Sequence, residues 1–144
     1  MRVSSPWSVR WCLAVLGVLA GCGGPATGDL VPVSGRVTVN GQPLTRGTIS
    51  FRPDAARGND SLQEPYGKID AQGRYRLLTA GKPGAPRGWY KVLVVSAEAI
   101  DPNDPYAPRR SYIDPKYGQV ETSGLAVEVV DKPADGAYDL ALTK

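Results

Sequence analysis

The segment Trp89-Tyr90-Lys91-Val92-Leu93-Val94-Val95-Ser96-Ala97 decides the fold. It is the most apolar stretch after residue 30, and it is rich in β-branched and aromatic residues, which suit a pleated sheet surface. At a period of two, Tyr90, Val92 and Val94 share one face, while Trp89, Lys91, Leu93 and Val95 share the other. A Gly/Pro loop (80–88) precedes it, and a segment with four prolines follows it. Such a short run between breakers reads as a central strand rather than a helix.

The same alternation recurs on both sides. Upstream, Val31 to Val39 reads as a strand with Val33, Val37 and Val39 on similar faces, and Asn40-Gly41 after it is a strong hairpin signal. Gly47 to Arg52 is a second strand with Ile49 and Phe51 inward. A polar loop, 54–65, leads to Tyr66 to Ile69. The tight turn Ala71-Gln72-Gly73 leads to Arg74 to Thr79, with Tyr75 and Leu77 inward and Asp70 placed to bond turn amides. Downstream, Leu125 to Val130 points Leu125, Val127 and Val129 inward and Glu128 outward; Tyr138 to Leu142 points Tyr138, Leu140 and Leu142 inward. No stretch after Asp29 carries a helical period. Seven short strands between residues 30 and 144 predict an all-β fold, a seven-stranded antiparallel β-sandwich with a small barrel as the alternative.

The first thirty residues read differently. Arg2 and Arg10 precede an apolar run, Trp11 to Ala20, that is too short to span a bilayer, which takes about 20 residues. This pattern is a signal peptide, residues 1–21. Residues 22–29, Cys-Gly-Gly-Pro-Ala-Thr-Gly-Asp, form a flexible tether reaching at most about 28 Å extended and about 15 Å as a coil. The β-domain then occupies 30–144.

Composition excludes several chemistries. The 144 residues hold 17 Lys and Arg, 14 Asp and Glu, two Cys and no His, for a net charge of +3. Without His there is no Ser-His-Asp triad, Cys-His pair or His metal site. Removing residues 1–21 takes Arg2, Arg10 and Cys12, leaving 15 basic against 14 acidic residues, or +1. So even a charge gives no nucleic-acid footprint. No Ser is followed by Lys three places on, and no Walker loop or dinucleotide fingerprint occurs. Asp101-Pro102-Asn103-Asp104 lacks the alternating ligands and downstream Glu of a calcium loop and reads as a solvated turn. Neither a metal, a cofactor nor a catalytic residue is expected.

Residues 98–120 form the segment with the best claim to recognition. They are longer than an ordinary connection and carry Tyr106, Tyr112, Tyr117, Arg109 and Arg110. Tyr106, Arg109 and Arg110, together with Trp89, are the candidate ligand-binding residues: aromatics beside cations stack on sugars or grip an anionic polymer. The competing reading has the prolines stiffen a crossover while the tyrosines pack on the sheet edge.

Leu19-Ala20-Gly21-Cys22 looks like the lipobox of bacterial lipoproteins, in which cleavage between Gly21 and Cys22 exposes a diacylated Cys. Further segments carry a wider resemblance: Pro32-Val33-Ser34-Gly35-Arg36-Val37 with Asn40-Gly41, Gly47-Thr48-Ile49-Ser50-Phe51, Gly67-Lys68-Ile69-Asp70 with Gly73-Arg74-Tyr75, Gly88-Trp89-Tyr90-Lys91-Val92, and Pro115-Lys116-Tyr117. Together they resemble planctomycete-type lipoproteins with a carboxypeptidase-regulatory-like, or transthyretin-like, domain. The resemblance implies a prealbumin-like (Ig-like) sandwich behind Cys22, lipidated by acyl chains such as palmitate. By the same resemblance, Gly23 after the Cys leans towards the outer membrane. The fold's enzyme branch hydrolyses 5-hydroxyisourate with His residues and a C-terminal Tyr-Arg-Gly-Ser type motif, whereas this chain has no His and ends Leu140-Ala141-Leu142-Thr143-Lys144. The expectation is a lipid-anchored, non-enzymatic envelope module for binding or scaffolding. Its partners would be the membrane and either an envelope polysaccharide or a protein. A hydrolase built on two facing carboxylates is the enzymatic alternative.

Overall fold

A computed structural model describes residues 28–144; the expected signal peptide (1–21), Cys22 and most of the expected tether (22–29) lie outside the described residues. The chain is all-β. Its strands are β1 (Ser34–Val39), β2 (Gln42–Pro43), β3 (Gly47–Pro53), β4 (Tyr66–Ile69), β5 (Arg74–Arg76), β6 (Leu78–Thr79), β7 (Lys82–Pro83), β8 (Gly88–Val95), β9 (Ala126–Val129) and β10 (Leu140–Leu142). Two short 3-10 turns lie at Ala55–Arg57 and Pro115–Gly118. The main hydrogen-bonded path runs β10-β1-β5-β4-β3-β8-β9, and each of the seven expected strand segments contributes a member. β2, β6 and β7 are short additions to it.

The central segment behaves as its pattern predicts. β8 pairs antiparallel with β3 along six residue pairs and with β9 along four. Tyr90, Val92 and Val94 are wholly buried, whereas Val95 on the other face is 51% exposed. The inner faces of the curled sheet bring Val33, Val37, Ile49, Phe51, Leu77 and Val129 into one core. Phe51 sits at its centre, with ring centroids 6.5 Å from Tyr75 and 5.7 Å from Tyr90. Burying side chains of this size supplies about 1.5–3 kcal/mol each.

Four features depart from the expected arrangement. First, β10 pairs with β1 in parallel, not antiparallel. The C-terminal segment returns beside β1 and is fixed there: the Tyr75 hydroxyl donates to the Tyr138 carbonyl (2.6 Å) and the Arg36 amide to the Asp139 carboxylate (2.8 Å). Second, the turn after β1 returns through only Gln42 and Pro43, while Gly47–Pro53 pairs with β4 and β8 instead of β1. The turn itself is as expected, with positive φ at Asn40 (50°) and Gly41 (81°), the type I′ signature. Third, the strand expected over 74–79 is interrupted at Leu77, whose amide bonds the Val33 carbonyl at 3.0 Å. Fourth, the end of the expected 74–79 strand and the start of the loop 80–88 form a hairpin, β6–β7, turned by Ala80 at φ 48° and Gly81 at φ 79°. Alanine rarely occupies that region. The buried Thr79 hydroxyl, donating to the Gly84 carbonyl at 2.6 Å, holds the turn closed.

Gly35 makes the curl possible. A Cβ there would strike the Tyr138 carbonyl and meet the Tyr75 ring at 3.0 Å. Because the first obstacle is backbone, Gly35→Ala is expected to cost about 1–3 kcal/mol, read as a lower urea midpoint. An unchanged midpoint would contradict this packing.

Tyr75 yields a pH prediction. Burial, with Asp139 adding to it, pushes its phenol above the ordinary value of 10.0. The unfolded chain therefore ionises first. Stability is intact below pH 10.0 and falls as pH rises above it. Tyr75→Phe should lose about 1–2 kcal/mol at neutral pH, because the Tyr138 carbonyl loses its donor, and should show a flatter decline in alkali. Equal alkaline slopes for both proteins would refute the assignment.

Candidate functional site

β8 links the two groups of residues expected to bind a ligand, and it keeps them apart. Trp89 lies at its start, half-buried. The Arg57 guanidinium sits 4.4 Å from the indole centroid, occupying one ring face. The Trp89 carbonyl accepts hydrogen bonds from the Asp54 amide (3.0 Å) and the Asn59 side-chain amide (2.8 Å). Trp89 is thus built into the turn that follows β3. Tyr106, Arg109 and Arg110 follow the other end of β8. From Trp89 to Val95 the strand rises about 20 Å, so Trp89 does not join the other three.

Residues 98–120 divide into two parts. The Ala97–Ser111 bridge closes the base of an exposed arm, reinforced by the Glu98 amide to the Arg110 carbonyl (3.0 Å) and the Tyr112 amide to the Ser96 carbonyl (2.9 Å). On this arm Tyr106 is 96% exposed, and the Asp101 carboxylate accepts from the Asn103 amide at 2.8 Å, capping its own turn. Past Ser111 the chain packs against the body. Ile113 and Tyr117 are buried, and the Tyr117 hydroxyl bonds Thr143. The packing reading holds for Tyr117, and the exposed, recognition-competent reading is confined to the arm.

A second region was missed in the sequence: the outer face of β1, β5 and β4. It forms an open depression of about 950 Å³ whose lining includes Arg36, Tyr66, Lys68, Arg74 and Arg76. Period two explains the composition. Arg36 and Ser34 alternate with core-facing Val37 and the close-packed Gly35, Arg74 and Arg76 flank buried Tyr75, and Tyr66 and Lys68 flank Gly67. The register then sets Arg36 directly opposite Arg74 and Ser34 opposite Arg76. The Ile69–Tyr75 and Tyr66–Leu78 pairs align Lys68 with Arg76. Like charges placed opposite one another across strands destabilise a sheet.

Acidic residues offset only part of this charge. Asp70 is engaged by Arg74: its carboxylate accepts from the Arg74 and Gln72 amides, both at 2.9 Å, and lies 3.3 Å from the Arg74 guanidinium. The Arg74 amide above all, with the Gln72 amide and the guanidinium, holds the Asp70 carboxyl below its ordinary value. Asp139 is bonded to the Arg36 main chain. The side chains of Arg36, Lys68 and Arg76 form no ion pair among the described residues.

A smaller depression of about 460 Å³ adjoins the first. Lys68 lines both, and Thr48, Val95 and Arg109 continue the lining of the second. Arg109 of the arm therefore belongs to the outer-face surface. Among the described residues, no group of three or more His, Cys, Asp and Glu is arranged to hold a metal, and no helix is long and apolar enough to cross a membrane. No family model, curated protein or solved structure matches the chain. Its function is therefore argued from its own residues.

Proposed function

We propose that the protein is a lipid-anchored module of the bacterial cell envelope that binds rather than catalyses, built on a prealbumin-like β-sandwich. The observation that carries this reading is Leu19-Ala20-Gly21-Cys22 at the end of a short apolar run, shortly before the first ordered pairing of the domain. That pairing is the Val31–Ala85 bridge, closed by two 2.9 Å hydrogen bonds. From Cys22 to Val31 the chain reaches about 30 Å at most, which keeps the domain beside the membrane. Two or more acyl chains on one residue give stable anchoring where one chain is marginal.

The tether meets the domain beside the start of β8, because Val31 pairs with Ala85 just before Gly88. The arm at 98–110 follows the other end of that strand, so it sits away from the anchor. Rigid strands that present an exposed arm and a charged face are the usual build of a binding module.

Detergent phase partitioning of the protein from its native host tests the anchor. The protein is expected in the detergent phase. Recovery in the aqueous phase, with residues 1–21 removed, would reject it.

A further inference from the structure

Cations outnumber acids in the outer-face depressions. Arg36, Lys68, Arg74, Arg76 and Arg109 line them, against Asp70, Asp139 and Glu98. One cross-strand row, Ser34–Arg76–Lys68–Thr48–Val95, crosses β1, β5, β4, β3 and β8 in register. Five strands at their usual separation span about 19 Å. Arg36 and Arg74 lie two residues along from this row, roughly 6.6 Å away. Tyr66, 49% exposed, stands at its edge.

We propose that this row is a binding track for an anionic polysaccharide, laid across the strands from Arg36 and Arg76 to Arg109. The ligand class follows from the chemistry of the lining. Guanidinium groups pair with carboxylates or sulfates in a fixed planar geometry. Ser34 and Thr48 supply hydroxyls for sugar hydroxyls, and Tyr66 supplies an exposed ring edge or face. Arg76 and Lys68 in the row, with Arg36 and Arg74 two residues along, stand about 5–7 Å apart, which suits a polymer with one charge on each sugar or every second one. A flat lipid surface does not enter a concave depression. The excess of only two positive charges and the single exposed aromatic ring are sparse for a nucleic-acid strand, which draws on several stacked bases and many phosphate contacts.

The track also explains the opposed charges. Lys68 and Arg76, neither in an ion pair among the described residues, repel in the free protein, while Asp70 offsets part of the charge of Arg74 opposite Arg36; an anionic ligand lying over them converts the remaining repulsion into charge-assisted contacts. The inference rests on the envelope reading only for the source of the polymer.

The test is calorimetric titration of the full chain, held in zwitterionic detergent, with a galacturonate hexamer, with neutral maltohexaose and with glycerophosphoglycerol, the soluble headgroup of phosphatidylglycerol. The charged hexamer is expected to bind, more weakly as salt rises, and maltohexaose is not. K68Q/R76Q is expected to weaken binding roughly tenfold. Lys132→Gln, off the track, is expected to leave it unchanged. Both targets are exposed strand positions, and a far-UV spectrum like that of the unmodified protein verifies folding. Should the double variant fail to fold, Lys68→Gln alone gives the same comparison. Equal binding of the two hexamers, no binding of the charged one, or binding of glycerophosphoglycerol but not of the charged hexamer would each overturn the proposal. None of these outcomes bears on lipidation at Cys22, which is measured separately.

Discussion

Phe51→Ala is expected to lower the unfolding free energy by about 3–5 kcal/mol. Phe51 is wholly buried on β3, within the single core cluster. Its ring packs at a tilt beside those of both Tyr75 and Tyr90. Both tyrosines are pinned by their hydroxyls, Tyr75 to the Tyr138 carbonyl and Tyr90 to the Pro86 carbonyl at 2.8 Å. Neither ring can swing into the space left by truncation without breaking a hydrogen bond. The cavity therefore stays open, and the cost falls in the upper part of the range for large-to-small changes. Domains of this size hold about 5–15 kcal/mol in total, so the loss takes about a third or more of it in most cases. Urea denaturation reads the result as a lower midpoint at similar slope. A loss below about 1 kcal/mol would mean that the core refills the site, contrary to the pinned geometry.

The second large effect lies outside the described residues. Cys22→Ser is expected to abolish lipidation, and with it the acyl anchor, because serine carries no thiol for diacylglyceryl transfer. The remaining interactions of the domain with a bilayer are electrostatic and weak: the chain after residue 21 has a balance of only +1. The variant is expected to keep residues 1–21 or to appear in the aqueous phase, with the stability of the β-domain unchanged. Membrane retention with residues 1–21 removed would show that another feature anchors the protein.

Much of the fold was legible because it is written in period two. Val92 and Val94, Ile49 and Phe51, and Tyr75 and Leu77 announce their faces by alternation alone, and all six are buried. Asn40-Gly41 announces its turn because few other dipeptides accept two positive φ values. Ala80 announces nothing, since its left-handed backbone is imposed by Thr79 and the short β6–β7 pairing. The parallel contact of β1 with β10 joins Val37 to Leu140, a separation that local pattern does not reach.

The candidate site was less legible for the same reason. Ile100 and Tyr106 resemble Ile113 and Tyr117 in type and setting, and only packing separates the exposed pair from the buried one. Arg36, Lys68, Arg74 and Arg76 each read as an ordinary outward charge on a strand. They become one surface only when β1 pairs with β5 and β5 with β4. Arg109, picked out as a cation on a long loop, reaches that surface because the Ala97–Ser111 bridge holds the base of the arm beside the start of β3 and the end of β8.

The most direct measurement on the central claim is the mass of the N-terminal peptide of the protein purified from its host membrane. A lipid-anchored envelope module predicts a peptide that begins at Cys22 and carries a diacylglyceryl group with acyl chains. An unmodified Cys22, or a peptide that still includes residues 1–21, would contradict it.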